Sequence, residues 1–280
     1  MTDSSSSDRP VLREDTDGVA ILSFNRPDRN NSWSVPMELE YYRLLHECEN
    51  DPEVRVIVVT GAGRSFCPGM DTSTLAAQTA DPTLTTEPHK RPPITTPRSI
   101  RKPVIAAING ACAGIGLIAA MNCDIRFLSS KAKVTCAFSQ RGIMAEHGLA
   151  FTLPREIGTS RALDLLFSSR IVMGQEALDL GLVDRVFEPE ELMPRTLEYA
   201  RGLAANSSPV AMGVIKQQVY EAWETTHEEA RTMAIRWWYD TLRGHSDFKE
   251  GVASYLEKRP PAFSPWDPAT PTVPAPLPKD

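Results

Sequence analysis

Two stretches of the chain run directly from an apolar strand pattern into a glycine-rich turn. Residues 54–60 lead into the turn 61–71, and residues 103–108 lead into the turn 109–116. The first strand pattern is apolar on both faces, which is typical of a strand in a sheet that is covered on each side. Strands and helices alternate up to about residue 158 and helices follow, so the order predicts an α/β fold with a helical C-terminal part.

The glycines of these turns let the backbone bend sharply and approach a ligand closely. The first turn can direct backbone N–H groups at an anion or at a polarised carbonyl oxygen. The second turn leads into a helix whose start, near residues 114–116, offers unpaired N–H groups and the positive end of the helix dipole. Two such donor sites on neighbouring strand-to-helix turns would form an oxyanion hole.

A dinucleotide site is an alternative interpretation of the first turn, because that fingerprint also begins with a strand followed by GxG. Here Phe66 stands where the third glycine belongs, and Pro68 interrupts the helix that should follow. Both departures disfavour a dinucleotide-binding fold. A glycine-rich turn without any function is the other alternative.

The composition narrows the class of protein. Hydrophobic residues make up 41% of the 280 residues and the net charge is −6, as in an ordinary globular protein with no bias toward nucleic acid. Apolar runs stay short of the roughly 20 residues that a membrane-spanning helix needs. Five cysteines without a CxxC pair, and a polar start without a signal-peptide pattern, predict reduced thiols, no metal site and a cytoplasmic location.

The proline distribution suggests how the chain is divided. Of the 23 prolines, 14 fall in two clusters, one near residue 90 and one near the C-terminus. Proline is excluded from the interior of helices and central strands, so these clusters mark irregular chain. We predict the following parts: a disordered leader over 1–10, an α/β core over 11–200 with a mobile loop at 72–102, a helical region over 201–259, and a proline-rich tail over 260–280.

Five segments together resemble the crotonase superfamily, also called the enoyl-CoA hydratase/isomerase family. They are, in chain order, LSFNRP (22–27), VRVIVVTGAGRSFCPGMD (54–71), KPVIAAINGACAGIG (102–116), GQEALDLGLVDRVF (174–187) and YLEKRPPAF (255–263). Any one of them is a weak signal, but five in this order are highly specific. The resemblance covers nearly the whole chain, from about residue 19 to residue 259.

The resemblance implies a fold and a substrate. The fold is a spiral of ββα units with a C-terminal helical region that mediates trimerisation, often to hexamers that are dimers of trimers. The substrate is an acyl-CoA thioester, whose enolate is held by two backbone N–H groups; by position these belong to Met70 and Ile115. Family members often carry Gly or Ala at these positions, so the bulk of Ile115 predicts a narrower or reshaped acyl pocket.

The acid or base that the resemblance implies differs from that of the family's hydratases. Their two glutamates, which activate a water molecule, correspond here to Ile118 and Phe138, and neither side chain can move a proton. Glu146 lies instead in a glycine-bounded segment that resembles the site of the single catalytic glutamate of the family's Δ3,Δ2-enoyl-CoA isomerases. A local cap or an ion pair with Arg141 or Arg155 is the alternative role for Glu146.

Several further residues are assigned to the site. His147 is a second candidate proton carrier, or else a polar residue at the pocket edge, and Asp71 is a helix cap that fixes the first turn. The family pattern places coenzyme A and the substrate near Arg26, Asp28, Arg29, Asn30, Pro68, Gly69, Asp71, Thr72, Ser73, Gly114, Ile118, Phe138, Lys258 and Arg259. The last two would meet phosphates across a subunit boundary, although each basic residue is equally compatible with a solvated surface.

The sequence therefore predicts an acyl-CoA enzyme without a metal or redox cofactor, with an isomerase-like proton shuttle through Glu146. The alternatives are a 2-enoyl-CoA hydratase or another lyase of the family, and a non-catalytic acyl-CoA binder.

Overall fold

The computed structural model describes residues 9–80 and 91–270. The strands in these residues are β1 (Val11–Thr16), β2 (Val19–Phe24), β3 (Val56–Gly61), β4 (Ser65–Cys67), β5 (Val104–Ile108), β6 (Ala111–Ala113), β7 (Ile125–Ser129), β8 (Lys133–Thr135), β9 (Val172–Met173) and β10 (Arg185–Phe187). The helices are α1 (Val35–Asn50), α2 (Thr72–Ala80), α3 (Thr96–Ser99), α4 (Ile115–Met121), α5 (Leu149–Ile157), α6 (Thr159–Ser168), α7 (Gly174–Asp179), α8 (Leu192–Asn206), α9 (Pro209–Glu221), α10 (His227–Trp237) and α11 (Ser246–Glu257).

The strands form two sheets in the described part of the chain. The larger has the order β1-β2-β3-β5-β7-β10, in which β1 is antiparallel to β2 and every other pair is parallel. The smaller has the order β4-β6-β8-β9, parallel except for β9. The predicted mixed α/β fold is confirmed.

A ββα unit recurs along the chain although the sequence shows no repeat. In β3-β4-α2 and again in β5-β6-α4, one strand enters the larger sheet, the next enters the smaller sheet, and a helix follows. Because each unit adds one parallel strand to both sheets, successive units present their strand ends at the same edge. The spiral of ββα units implied by the family resemblance is thus observed.

The larger sheet is covered on both faces, as the apolar pattern of β3 predicts. Val58 belongs to a buried cluster with Ala200 of α8, whereas Val59 belongs to a second cluster with Tyr41 of α1. Adjacent strand residues point to opposite faces, so the two helices lie on opposite sides of the sheet. The domain boundary predicted at residue 200 therefore falls inside α8, a helix that packs on the sheet.

The predicted loop 72–102 contains regular structure at both ends. It begins with α2 and ends with α3, while residues 81–90 lie outside the described residues. The side chains described in α2 are mostly exposed.

The two predicted ends of the chain are described in part. Residues 1–8 of the leader and 271–280 of the tail lie outside the described residues. Residues 260–270 contain no helix or strand, yet Trp266 is only 1% exposed, its backbone N–H donates to the Pro52 carbonyl at 3.2 Å, and the Arg101 guanidinium stacks on its ring. The segment predicted as a proline-rich tail therefore buries one indole against the rest of the described chain.

Among the described residues, every helix is too short or too polar to span a lipid bilayer.

Candidate active site

The two glycine-rich turns lie side by side because they follow neighbouring strands. Parallel β4 and β6 pair Ser65 with Ala111 and Cys67 with Cys112. Beyond these pairs, each strand leaves the small sheet at the same edge and turns toward its helix. Gly116, at the start of α4, packs against the Cys67 carbonyl, so the two turns are in direct contact.

The N–H of Met70 is oriented by a short bridge to Trp33. The Trp33 N–H donates to the Gly69 carbonyl at 2.7 Å, and the Asp71 N–H donates to the Trp33 carbonyl at 3.0 Å. Backbone polar groups of successive residues in extended chain point to opposite sides. The Met70 N–H therefore points away from Trp33, and Met70 is one of the residues that line a cavity.

Ile115, the predicted second donor, is the first residue of α4. The first hydrogen bond of the helix runs from the Ile118 N–H to the Gly114 carbonyl at 3.0 Å. The Ile115 N–H precedes it and belongs to the unpaired first turn, at the positive end of the helix dipole. Gly114 has a φ of 52°, a conformation that favours glycine, so this residue permits the sharp entry into the helix.

Both turns open into a cavity of about 740 Å³. Its walls come from the two turns, from α1, from the segment 91–95 and from the loop 136–148. The predicted site residues that line it are Pro68, Gly69, Met70, Thr72, Gly114, Ile115, Phe138, Glu146 and His147. The volume and the mixed apolar and polar walls suit a small acyl group.

Glu146 is exposed, and its carboxylate makes no hydrogen bond or ion pair with the described residues. The two arginines considered as its partners are engaged elsewhere. Arg141 donates to the Ala137 carbonyl at 2.7 Å, and Arg155 donates to the Phe151 carbonyl at 2.9 Å. The carboxylate at the cavity is consequently available to a substrate.

The turn that carries Glu146 is held in an uncommon backbone conformation. His147 has a φ of 51° and Gly148 a φ of 77°, two consecutive left-handed residues, and the Leu149 N–H donates to the Glu146 carbonyl at 3.0 Å. A left-handed conformation is unfavourable for a residue with a Cβ and often marks a functional segment. This turn places the His147 side chain at the same cavity as Glu146.

Asp71 has the contacts of a structural cap. Its carboxylate accepts from the Ser73 N–H at 3.1 Å, the Ser73 hydroxyl at 2.8 Å and the Arg26 guanidinium at 3.0 Å. These hydrogen bonds lower the pKa of the Asp71 carboxyl to about 2. A carboxylate so stabilised is a poor base, and the contacts favour the predicted role of fixing the turn.

Other residues assigned to coenzyme A or the substrate do not line the cavity. They are Arg26, Asp28, Arg29, Asn30, Asp71, Ser73, Ile118, Lys258 and Arg259. Arg26 and Asp71 join just behind the first turn, and Arg259 is paired with Glu250 and Glu257. Ile118, at 1% exposure, lies in the hydrophobic core, so its contact with a substrate stays a prediction.

Polar residues that sequence reasoning missed also line the cavity, among them Glu38, Tyr42 and Arg91. Glu38 and Tyr42 belong to α1. The sequence predicts a helix near residues 35–49, because its apolar residues fall at helical spacing, but it assigns no site residue to that helix. Glu38 precedes Tyr42 by one helical turn and follows Met37 directly. An acidic residue at the edge of an apolar helical stripe is the signal that could have identified this wall.

The cysteines near the cavity remain thiols. Burial raises the pKa of the Cys136 thiol to about 11 and that of the Cys67 thiol to about 12. A thiol with so high a pKa is not a thiolate nucleophile near neutral pH, in keeping with the sequence interpretation.

Comparison with known proteins gives consistent matches over almost the entire chain. The model of the enoyl-CoA hydratase/isomerase family matches residues 14–265. An enoyl-CoA hydratase from Alternaria alternata is 34% identical over 253 residues, which are 89% of this chain and 84% of the relative. The 1,2-epoxyphenylacetyl-CoA isomerase of Escherichia coli is 32% identical over 262 residues, 91% of this chain and 98% of the relative.

Among solved structures, an enoyl-CoA hydratase from Mycobacterium marinum is similar with a TM-score of 0.66 and 45% identity, covering 76% of this chain and 98% of the other. Sequence and structure thus match the same kind of protein.

Proposed function

Because this chain belongs to the enoyl-CoA hydratase/isomerase family, the crotonase superfamily, we propose that it moves a double bond along an acyl-CoA thioester by a proton shuttle. It is an enzyme of that superfamily and acts on acyl-CoA. The finer assignment, a Δ3,Δ2-enoyl-CoA isomerase reaction, is our proposal. The observation that carries it is that Glu146, whose carboxylate has no partner among residues 9–80 and 91–270, lines the same cavity as Met70 and Ile115.

The proposed reaction is balanced without any co-reactant. Glu146 takes a proton from C2 of a 3-enoyl thioester, and the C–H electron pair forms a dienolate. The thioester oxygen, now negatively charged, accepts hydrogen bonds from the Met70 and Ile115 N–H groups. Protonated Glu146 then returns the proton to C4, so the double bond moves from C3–C4 to C2–C3. No metal ion or redox cofactor takes part in this scheme.

The residues at the hydratase positions support an isomerase over a hydratase. Phe138 lines the cavity and is nearly buried, and Ile118 lies in the core. Neither can orient or deprotonate water, so a water molecule would have to be activated by Glu146 or His147 alone. The assay therefore has to distinguish isomerisation from hydration.

The test is to incubate the protein with a 3-enoyl-CoA and follow the absorbance of the conjugated 2-enoyl thioester. In Glu146→Gln we expect the rate to fall at least about 100-fold, since general acid–base catalysis contributes that much. Glu190→Gln, at an exposed glutamate away from the cavity, is the matched control and should keep its full rate. Full activity of Glu146→Gln would contradict the proposal.

Two other outcomes identify the alternatives. Loss of absorbance from a 2-enoyl-CoA in water would indicate a hydratase, and tight thioester binding without turnover across a panel would indicate a binder. His147→Gln addresses the second proton carrier. If His147 only lines the pocket edge, this variant should change KM more than kcat.

We also propose self-association through the C-terminal helices, as a trimer or a hexamer. A groove near α11 is lined by Trp238, Phe248, Val252 and Tyr255, large apolar side chains that are partly or largely exposed. Apolar patches of this kind commonly mark an interface. Lys258 and Arg259 follow this face directly and would reach the coenzyme A phosphates of a neighbouring protomer.

Light scattering tests this arrangement. The wild-type chain should have three or six times the monomer mass, and Tyr255→Glu, at an 82% exposed side chain, should lower it. A monomeric wild type would contradict the proposal. We further propose a cytoplasmic location without a nucleic-acid or membrane partner, as the composition predicts.

A further inference from the structure

One wall of the cavity is polar, although a plain hydrocarbon chain would be held best by apolar residues. This polar wall consists of Glu38, Tyr42 and Arg91. The first two come from α1 and the third opens the segment 91–95, which also lines the cavity. Glu38 is 9% exposed and Tyr42 is 1% exposed, so the wall is desolvated apart from the cavity itself.

The ion pair of the polar wall is held in a defined geometry. The Glu38 carboxylate accepts from the Trp33 indole N–H at 3.1 Å and from the Arg91 guanidinium at 2.6 Å. Because the charges of Glu38 and Arg91 cancel, the pair adds no net charge to the cavity. A charged group on the substrate would find no uncompensated counter-ion in this pair.

Tyr42 supplies the group of the polar wall that has no partner. Its hydroxyl is buried and has no hydrogen-bond partner in the described residues. Burial and the Glu38 charge raise the pKa of the Tyr42 phenol well above its usual range, so the phenol stays neutral. A neutral hydroxyl can donate or accept, and a buried one is destabilising until it does so.

A purely hydrocarbon acyl chain would leave Tyr42 unsatisfied and would withdraw the remaining water from the Glu38–Arg91 pair. We propose that the cavity selects acyl groups that carry a neutral oxygen, a hydroxyl or carbonyl, beyond the reacting carbons, and that this oxygen pairs with the Tyr42 phenol. A site built to hydrogen-bond a substrate oxygen discriminates strongly against the analogue that lacks it. The inference rests on the proposed function, because it takes this cavity to be the acyl site.

The experiment measures binding and needs no turnover. Saturated hexanoyl-CoA and three analogues with a hydroxyl at C4, C5 or C6 are titrated calorimetrically against the full chain. We expect at least one analogue to bind about 5- to 50-fold more tightly than hexanoyl-CoA, the range for a buried hydrogen bond with charged neighbours. In Tyr42→Phe this gain should vanish, while the affinity for hexanoyl-CoA stays within twofold.

The adjacent tyrosine provides the matched control. Tyr41 is equally buried on α1, its hydroxyl also lacks a hydrogen-bond partner among the described residues, and it does not line the cavity. Tyr41→Phe should keep the full preference for the hydroxylated thioester. The inference is overturned if every hydroxylated analogue binds no better than hexanoyl-CoA, or if Tyr42→Phe weakens all thioesters equally.

Failure of the proposed function has a different signature. Glu146→Gln should lose turnover and keep the hydroxyl preference in the binding assay. Retained turnover with an intact preference would refute the proton shuttle and support the polar wall. Lost turnover without any preference would support the shuttle and refute the polar wall.

Discussion

Gly116 lies so close to Cys67 that a Cβ built on it would stand 2.0 Å from the Cys67 carbonyl oxygen. Backbone atoms cannot yield to such a contact as a flexible side chain can. The glycine thereby fixes the distance between the end of β4 and the start of α4. In the proposed reaction, that distance sets how the Met70 and Ile115 N–H groups share one substrate oxygen.

Gly116→Ala should therefore separate the two donors. We expect a destabilisation of about 1–3 kcal/mol from overpacking, and a loss of kcat that exceeds what the loss of folded protein explains. Gly202→Ala is the control, since a Cβ on Gly202 in α8 would meet no atom within 4 Å and alanine favours a helix. Urea unfolding and initial rates measure both effects; unchanged kcat in Gly116→Ala would contradict the role of this contact.

The Ile115 N–H can be removed without breaking α4. Ile115 is the first helical residue, a position that tolerates proline because its N–H makes no helical hydrogen bond. Ile115→Pro should lower kcat about 100- to 1000-fold, the range for the loss of one oxyanion donor. Ile115→Val keeps the N–H and should retain most of kcat. Equal kcat values for the two variants would show that the donor is not used.

Asp71 should make a pH-dependent contribution to stability. Its pKa of about 2 in the folded protein lies below the unfolded value of about 4, so the ionised group stabilises the fold above pH 4. This contribution declines as the pH falls toward 2. Asp71→Asn should lower the free energy of unfolding by about 1–2 kcal/mol at pH 7 and by less at pH 3.

Urea titrations at the two pH values measure the difference in the free energy of unfolding between wild type and Asp71→Asn. The exposed Asp28 provides a control, because Asp28→Asn should leave stability within about 0.5 kcal/mol at both values. If this difference in the free energy of unfolding is the same at pH 3 and pH 7, the Asp71 carboxylate does not stabilise the fold as predicted.

Trp266 should anchor the described part of the tail. Trp266→Ala removes a fully buried indole that contacts Arg101 and lies 5.6 Å from the Lys102 ammonium, and should destabilise the fold by about 3 kcal/mol. Trp266→Phe keeps an aromatic ring beside Arg101 and Lys102, so its free energy of unfolding should fall less than that of Trp266→Ala. Thermal or urea unfolding measures both variants. Wild-type stability of Trp266→Ala would mean that the tail contributes nothing to the fold.

The long elements of the fold were predictable from local pattern, and the short ones were not. The helix predicted near residues 35–49 is α1, and the apolar run 54–60 largely coincides with β3. β4 and β6 have three residues each, too few to establish a period of two. α5 contains Pro154 within it, which hid the helix from a pattern-based prediction.

The candidate site divides in the same way. Its two turns were recognisable because a sharp turn of the backbone favours glycine, which is visible in the local sequence. Glu146 was recognisable because it lies in a glycine-bounded segment. The polar wall escaped prediction, since Glu38 and Arg91 are 53 residues apart and meet only through tertiary packing. The core position of Ile118 likewise depends on which face of α4 packs against the core. The sequence of so short a helix does not indicate that face.

The cavity draws its walls from units that are separate along the chain. The end that we assign to the thioester is built by the tightly packed turns of β4 and β6, where Gly116 leaves no room for change. The acyl end is built by α1, the segment 91–95 and the loop 136–148. In the proposed function, the reaction and the choice of acyl group consequently depend on different segments of the chain. A descendant of this protein could acquire a new acyl preference by substitutions in the outer segments, with the backbone that stabilises the enolate left intact.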